Sequence, residues 1–288
     1  HYGEWLIPSQ NRNGMDMKNL QKIMAASSCY TAPIFGWYSV ATFAKIASIL
    51  GKTSDAEQYQ QTADKMKTAF QKGVIREDGT MPSELMGAYV LPIYFDLVPR
   101  EHQQTFADHL VKLIRDNDNC LDTGFLATPF LLDALCKIGR RDLAYALLWQ
   151  DKCPSWLFEV NHGATTIWES WYGYDEKGAP GQLSFNHYAF GCVDDWIFRN
   201  VAGIDTDTPG YTHLIFAPKP DEKLTSAARR FETAQGTASC QWEIRDNGST
   251  FSMDVTVPCN ATATVCLPNG QTEEVGSGRY HWEIALKA

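Results

Sequence analysis

The stretch Tyr30-Thr-Ala-Pro-Ile-Phe-Gly-Trp-Tyr-Ser-Val-Ala-Thr-Phe-Ala-Lys-Ile-Ala-Ser-Ile-Leu50 decides how the first two-thirds of this chain is read. Phe35, Tyr38, Thr42, Ile46, Ile49 and Leu50 recur at the intervals that place side chains on one helical face, and Gly51 follows as a C-terminal cap. Ser54 and Glu57 have capping-box spacing and open a second helix, whose face is Tyr59, Ala63, Met66 and Phe70. A connection this short makes the two helices antiparallel neighbours.

The same alternation runs outward from this pair. Glu84–Leu97 is almost wholly apolar and reads as a buried helix, with Pro92 as a kink point. Pro99 starts an amphipathic helix with Phe106, Leu110 and Ile114 on one face. Gly124–Ile138 is apolar again and closed by Gly139, Asp142–Trp149 follows, and Asn186–Ala202 reads as one last helix closed by Gly203. Residues 14–203 thus hold seven or eight expected helices, buried ones alternating with amphipathic ones, which suits two concentric helical layers.

After Gly203 the composition changes. Asp205-Thr-Asp-Thr-Pro-Gly210 is a turn-rich linker, and beyond it come short alternating runs at 214–217, 238–244, 251–257, 261–267 and 278–284. Asp246-Asn-Gly248 and Pro268-Asn-Gly270 mark hairpin turns, so this part is expected to be an antiparallel β-sandwich. The expected domains are 1–208, helical, and 209–288, β.

The 288 residues carry a formal net charge of −9, which argues against a nucleic-acid partner. No apolar run is long enough to span a membrane. Eight cysteines show no CxxC pair and no regular framework, and a disulfide scaffold is not expected. Nothing in the sequence calls for a metal or a cofactor. Nine Trp and an aromatic content of 12% fit either a ring-rich core or sugar binding, since the C–H face of a pyranose packs on an aromatic ring.

The helical rhythm breaks over residues 151–185, which are rich in Gly, Pro and Trp. Within them lies Pro154-Ser-Trp-Leu-Phe-Glu-Val-Asn-His-Gly-Ala-Thr-Thr-Ile-Trp-Glu-Ser-Trp171. Glu169 stands between Trp168 and Trp171, where indoles both shift a carboxyl's protonation and offer a platform to a sugar. A partly buried glutamate bonded to backbone is the plainer alternative. Trp168 and Trp171 are subsite walls or core, and Asp194 and Asp195 are expected as solvated or paired charges.

Thr165-Thr-Ile-Trp-Glu-Ser-Trp171, followed by Ser184-Phe-Asn-His-Tyr-Ala-Phe-Gly191, resembles the signature of the α-L-rhamnosidases. Tyr2-Gly-Glu-Trp5 looks like that family's Tyr-Gly-Asp-Trp, and Thr123–Leu132, Pro154–Trp156, Trp196–Ile204 and Val275–Tyr280 fit in order along the chain. The resemblance implies part of an (α/α)6 barrel followed by a β-sandwich. It also implies hydrolysis of terminal α-L-rhamnosyl residues of glycans or glycosides, with inversion. By the same resemblance Glu169 is the general base, Trp5 packs on the sugar, and His187 lies near its hydroxyls. Glu4 departs from the family's Asp by one methylene, which leaves it as a substrate contact or a structural carboxylate at the barrel mouth. The general acid is expected in a segment upstream of residue 1, so this chain alone is expected to be inactive. Glu4, Glu84, Glu159 and Asp122 are the carboxylates here that could replace that acid. His162 is a weaker candidate beside the motif.

Two alternatives stay open: another (α/α)6-barrel glycosidase or phosphorylase, or a non-catalytic sugar-binding fragment. A phosphorylase needs cations near the base, and residues 154–171 contain no Lys or Arg. Both extracytoplasmic and cytoplasmic locations are compatible with the substrate class.

Overall fold

The computed structural model describes residues 3–11, 17–174 and 178–286. Tyr2 of the first motif and the start of the expected helical span at residue 14 lie outside the described residues. The chain forms two compact units, one ending at Cys192 and the other beginning at Val193.

The first unit is helical: α1 (Pro8–Asn11), α2 (Met17–Ile49), α3 (Thr53–Gly73), α4 (Met86–Tyr94), α5 (Gln103–Asp116), α6 (Thr128–Lys137), α7 (Arg141–Leu148) and α8 (Trp156–Asn161). Helix α4 touches α2, α5 and α6, whereas α2 pairs with α3 and α6 with α7. This places α2, α4 and α6 in one layer and α3, α5 and α7 in a second. Sequence and burial agree with the layering. Residues Met86–Ile93 of α4 are all buried, while amphipathic α5 buries only Phe106, Leu110 and Ile114.

Two local expectations change. In α2 the buried side chains include Ile34, Ala44 and Ala47, whereas Tyr38, Ile46, Ile49 and Leu50 are exposed, Ile49 by 83%. Helix α2 is apolar nearly all round, so periodicity could not select the side that packs; small Ala residues set it by allowing close approach. Helix α3 begins after Lys52, which makes no side-chain cap, so Ser54 and Glu57 form no capping box. Its face is as expected, with Ala63 and Phe70 buried.

The second unit opens with α9 (Val193–Trp196), which widens into a π-helical turn at Ile197–Val201. The expected continuous helix over 186–202 is thus a 3-10 turn at Ala189–Cys192, a short α-helix and a π turn. The change has identifiable partners within the unit. Asn200 is buried, and its side-chain oxygen accepts from Lys219 Nζ at 2.8 Å. The carbonyl of Val201 accepts from Trp242 Nε1 at 2.8 Å. Gly203 then turns the chain at φ 82°, where a Cβ would meet Pro218 N at 2.6 Å, so only glycine fits. Arg199 pairs with Asp195, as expected of a paired surface charge.

Eight strands follow: β1 (Ile204–Thr206), β2 (His213–Phe216), β3 (Ser226–Thr233), β4 (Gly236–Arg245), β5 (Thr250–Val257), β6 (Thr262–Cys266), β7 (Thr272–Val275) and β8 (Gly278–Ala285). They form two sheets, β1-β2-β6-β7 and β3-β4-β5-β8. All pairs are antiparallel except β2 with β6, which are parallel because the chain crosses to the other sheet and back between them. The shared core takes Leu214, Phe216, Ala263 and Val265 from one sheet and Cys240, Trp242, Phe251, Met253 and Val255 from the other. The alternation that marks a half-buried strand is visible in β4, where Ala238, Cys240 and Trp242 point inward. No disulfide joins any of the eight cysteines among the described residues.

Trp242 is both the largest ring in this core and the donor to Val201. Trp242→Ala is expected to destabilise the second unit by about 3–5 kcal/mol. Trp242→Phe, which keeps a ring but orphans the carbonyl, is expected to cost about 1–3 kcal/mol. Urea unfolding of the two variants measures both, and equal stability of Trp242→Phe and wild type would contradict the hydrogen bond's role.

Candidate active site

The loop that carries Glu169 is held by short-range chemistry that its residues make for themselves. Ser155 caps α8 by accepting from Phe158 N at 3.1 Å. The helix is closed at its other end by Glu159, whose carbonyl accepts from His162 N at 3.1 Å and Ala164 N at 3.0 Å. The chain then runs through Ile167 to Trp171 alongside residues 184–187. His187 N donates to Ile167 O at 2.8 Å, and Glu169 N donates to Ser184 O at 2.9 Å. The return bond comes from Ser184 N, which donates to Glu169 Oε2 at 3.1 Å. Thr166 Oγ1 adds a bond to Phe185 O at 2.6 Å.

Glu169 is therefore half-buried, with its backbone and one carboxylate oxygen fixed on Ser184. Its Oε1 makes no hydrogen bond among the described residues. A carboxylate with one oxygen anchored and the other open has a defined direction in which to accept a proton.

The two indoles beside it do not face outward. Trp168 is 3% exposed and packs edge-on against Tyr174 and Phe185. Trp171 is 1% exposed, stacks on Phe190 at 4.2 Å and meets Trp156 edge-on at 5.7 Å. The structure thus uses both as packing that stiffens the Glu169 loop, not as walls open to a ligand.

His187 is half-buried, and its ring lies against Phe125 at 4.9 Å and parallel to Tyr188 at 5.2 Å. Its Nδ1 accepts the Ala189 amide at 3.2 Å, which puts the proton of the neutral ring on Nε2 and makes that atom a donor. Trp5 is half-buried, and its carbonyl accepts from Phe125 N at 3.0 Å. Trp5, Phe125, His187 and Ile167 thus form one chain of contacts, and Ile167 lies two residues before Glu169. A cavity of about 320 Å³ adjoins it, lined by Leu6 and Asn11 and by Ser170, Tyr172, Gly173 and the 181–184 segment. Glu169 itself does not line this cavity, although both Ser170 and Ser184 do.

Glu4 lies inside, at 1% exposure, and not at a mouth open to solvent. Its amide donates to Ser27 Oγ at 2.8 Å and its Oε2 accepts from Gly124 N at 3.1 Å. Burial pushes its carboxyl up to about 7, with Asp122 raising it further and the Gly124 amide opposing. Tyr30, buried beside it, is pushed up by the same burial and by Glu4. The other three carboxylates considered as an acid are also placed. Glu159 is 1% exposed, Asp122 accepts from Ser9 N at 2.7 Å, and Glu84 lies at the surface against His109 at 3.3 Å. His162 is exposed, with Nδ1 on the Phe158 carbonyl. Sequence reading missed Ser184 as the residue that holds Glu169, although it begins the second motif. Among the described residues no group of three or more His, Cys, Asp or Glu is placed to hold a metal ion. No described helix is long and apolar enough to cross a membrane.

The layered helical pairs, with a carboxylate presented on a loop among aromatic rings, fit a portion of a six-hairpin glycosidase domain, and the family match gives that class. Residues 1–201 match the bacterial alpha-L-rhamnosidase 6 hairpin glycosidase domain, and residues 203–281 match the bacterial alpha-L-rhamnosidase C-terminal domain. The chain belongs to the bacterial α-L-rhamnosidase family. It is 36% identical over 277 residues to an α-L-rhamnosidase of Streptomyces avermitilis, covering 95% of this chain and 25% of that protein. It is 34% identical over 272 residues to one from Alteromonas sp. strain LOR, covering 93% of this chain and 29% of that protein. Among solved structures, native α-L-rhamnosidase from Aspergillus terreus superposes with a TM-score of 0.86 at 33% identity, over 98% of this chain and 33% of that one. The S. avermitilis enzyme complexed with L-rhamnose superposes at 0.84 and 32% identity, over 98% of this chain and 28% of that one. The chain thus spans a quarter to a third of the length of these relatives.

The state of Glu4 predicts a pH dependence of stability. A carboxyl raised to about 7 in the fold contributes no penalty below its unfolded value of 4.5. Above that value the unfolded chain releases the proton more readily, so stability is lost as pH rises toward 7. Glu4→Gln has no such proton. Its stability relative to wild type is expected to rise with pH between about 5 and 7, by up to about 1.4 kcal/mol per pH unit. Denaturant unfolding at several pH values measures this, and a pH-independent difference would refute it.

Proposed function

We propose that this chain carries the general base of an inverting α-L-rhamnoside hydrolase, and that the base is Glu169. The supporting observation is the division of labour between its two oxygens, Oε2 held by the Ser184 amide and Oε1 open. The relatives named α-L-rhamnosidases, one of them solved with L-rhamnose, supply the substrate class.

Inverting hydrolysis needs a carboxylate to activate water on one face of the sugar and an acid to protonate the leaving oxygen on the other. The two carboxyls stand roughly 6.5–9.5 Å apart to leave room for the water. In this reading the water hydrogen-bonds to Glu169 Oε1 and attacks the anomeric carbon as its proton passes to that oxygen. The Ser184 amide keeps the carboxylate from rotating away. His187 donates from Nε2 to a sugar hydroxyl, and Trp5 packs on the sugar's C–H face. Glu4 serves as a buried structural carboxylate between Ser27 and Gly124, and Trp168 and Trp171 serve as packing. We assign the acid to the part of the relatives that this chain does not cover. Glu4 and Glu159 are each 1% exposed and Asp122 is engaged by Ser9, which leaves none of them disposed toward a sugar.

Glu169→Gln keeps the shape and the Ser184 contact but cannot take the water's proton. Assayed in the enzyme on an aryl α-L-rhamnoside, it is expected to cut kcat by at least about a hundredfold with thermal unfolding unchanged. Near-normal turnover would overturn the assignment.

A further inference from the structure

Glu159 lies ten residues before Glu169, on the short helix α8, and no part of the proposed hydrolysis uses it. It is 1% exposed. Its Oε2 accepts the Trp168 amide at 3.1 Å, and its Oε1 is buried without a hydrogen-bond partner. A buried carboxyl with one empty oxygen is costly, and a methionine or leucine of similar size would fill the space without that cost. Its contacts suggest what offsets the cost. Its carbonyl receives the amides of His162 and Ala164, and its side chain receives the amide of Trp168. One residue therefore fixes both ends of the turn that leads from α8 to the base.

We propose that Glu159 is a positioning residue for Glu169, acting through the Trp168 peptide. The inference rests on the reading of Glu169 as the base. Three anchors then bracket the base loop: Ile167 O on His187 N, Trp168 N on the Glu159 carboxyl, and Glu169 on Ser184. Consecutive residues are held on alternate sides, so Glu169 Oε1 has little freedom to swing. Without the Glu159 acceptor the Trp168 amide is buried and unpaired, and the peptide joining Trp168 to Glu169 is free to turn toward another partner. A displacement of about 1 Å at a reacting group can cost on the order of a hundredfold in rate.

The protonation of Glu159 gives the proposal a second handle. Burial raises this carboxyl to about 7, and the Trp168 amide is the one group that opposes the rise. No charged side chain acts on it from α8, from the 162–171 loop or from any other described element. His162, the nearest titratable residue along the helix end, is turned to the Phe158 carbonyl, and Glu169 is turned to Ser184. Below about 7 Glu159 is neutral and its carbonyl oxygen holds the amide. Above it the ionised Oε2 still holds the amide, but Oε1 shares the charge with no partner, which favours water entry behind the loop.

The test compares Glu159→Met, Glu159→Gln and Glu169→Gln in the active enzyme on an aryl α-L-rhamnoside. Glu159→Met, which removes the acceptor but fills the space, is expected to lower kcat about ten- to a hundredfold with KM changed by less than about twofold. Glu159→Gln restores an acceptor and is expected to recover most of that loss. Wild-type kcat is expected to fall as pH rises above about 7, where Glu159 ionises, and in Glu159→Gln that fall is expected to shift to higher pH. Wild-type kcat in Glu159→Met, failure of Gln to recover the rate, or an unchanged alkaline limb would each overturn the proposal. If Glu159→Met does not fold, judged by circular dichroism, the pH profile of Glu159→Gln decides alone. Glu169→Gln separates the two readings: full activity there removes the base assignment itself, whereas loss there with an unaffected Glu159→Met removes only the positioning role.

Discussion

The site depends on a clasp between two loop segments, 167–169 and 184–187. Three main-chain amides and one carboxylate oxygen make it: His187 N to Ile167 O, Glu169 N to Ser184 O, and Ser184 N back to Glu169 Oε2. The loop between the segments is rich in glycine and would be costly to order by backbone bonds alone. The rings supply the remainder. Trp168 packs between Tyr174 and Phe185, and Gly173 passes so close that a Cβ there would meet the Trp168 ring at 2.5 Å. Indoles that flank a carboxylate thus act in this protein by exclusion of water and by rigidity, and the glycine is needed for their approach.

A second buried carboxylate secures the frame around the clasp. Glu4 ties the 3–9 segment to Gly124, and two further bonds, Phe125 N to Trp5 O and Ser9 N to Asp122 Oδ1, run between the same two stretches. Gly124 tolerates no side chain, since a Cβ would meet Trp5 O at 2.4 Å. Phe125, fixed in this way, is the surface against which His187 rests. The burial of Glu4 therefore bears on the orientation of a histidine far along the chain without touching it. Its cost, a carboxyl raised to about 7, is the counterpart of that organising role.

Much of the helical unit was legible in sequence because buried and amphipathic helices differ in pattern. The stripe Phe106, Leu110 and Ile114 is buried as read, as are Ala63 and Phe70. The side of α2 that packs was not legible, because Ile34 and Ile46 look alike in a helix apolar on every side. Strands β4, β5, β6 and β8 alternate visibly, whereas β1, β3 and β7 went unread. The sequence of β3, Ser-Ala-Ala-Arg-Arg-Phe-Glu-Thr, has few β-branched residues, β7 is charged and exposed at a sheet edge, and β1 is hidden in a turn-rich linker. In the site, Glu169 stood out by its flanking indoles, but their burial did not, since a Trp is equally at home in a core and on a platform. The contacts of Ser184 and Glu159 depend on which amide meets which oxygen across a loop. That is a property of tertiary geometry and leaves no periodic trace.

In the proposed reaction Glu169 hands a water to the sugar and does not attack the sugar itself. Those two chemistries differ in the configuration of the first product. The most direct measurement is proton NMR of the anomeric signal during the first minutes of hydrolysis of an aryl α-L-rhamnoside by the active enzyme, before the free sugar mutarotates. Glu169 as a base predicts that β-L-rhamnose appears first and the α form only later. Initial release of α-L-rhamnose would mean a covalent glycosyl-enzyme step and would contradict the role of the clasped carboxylate as a base.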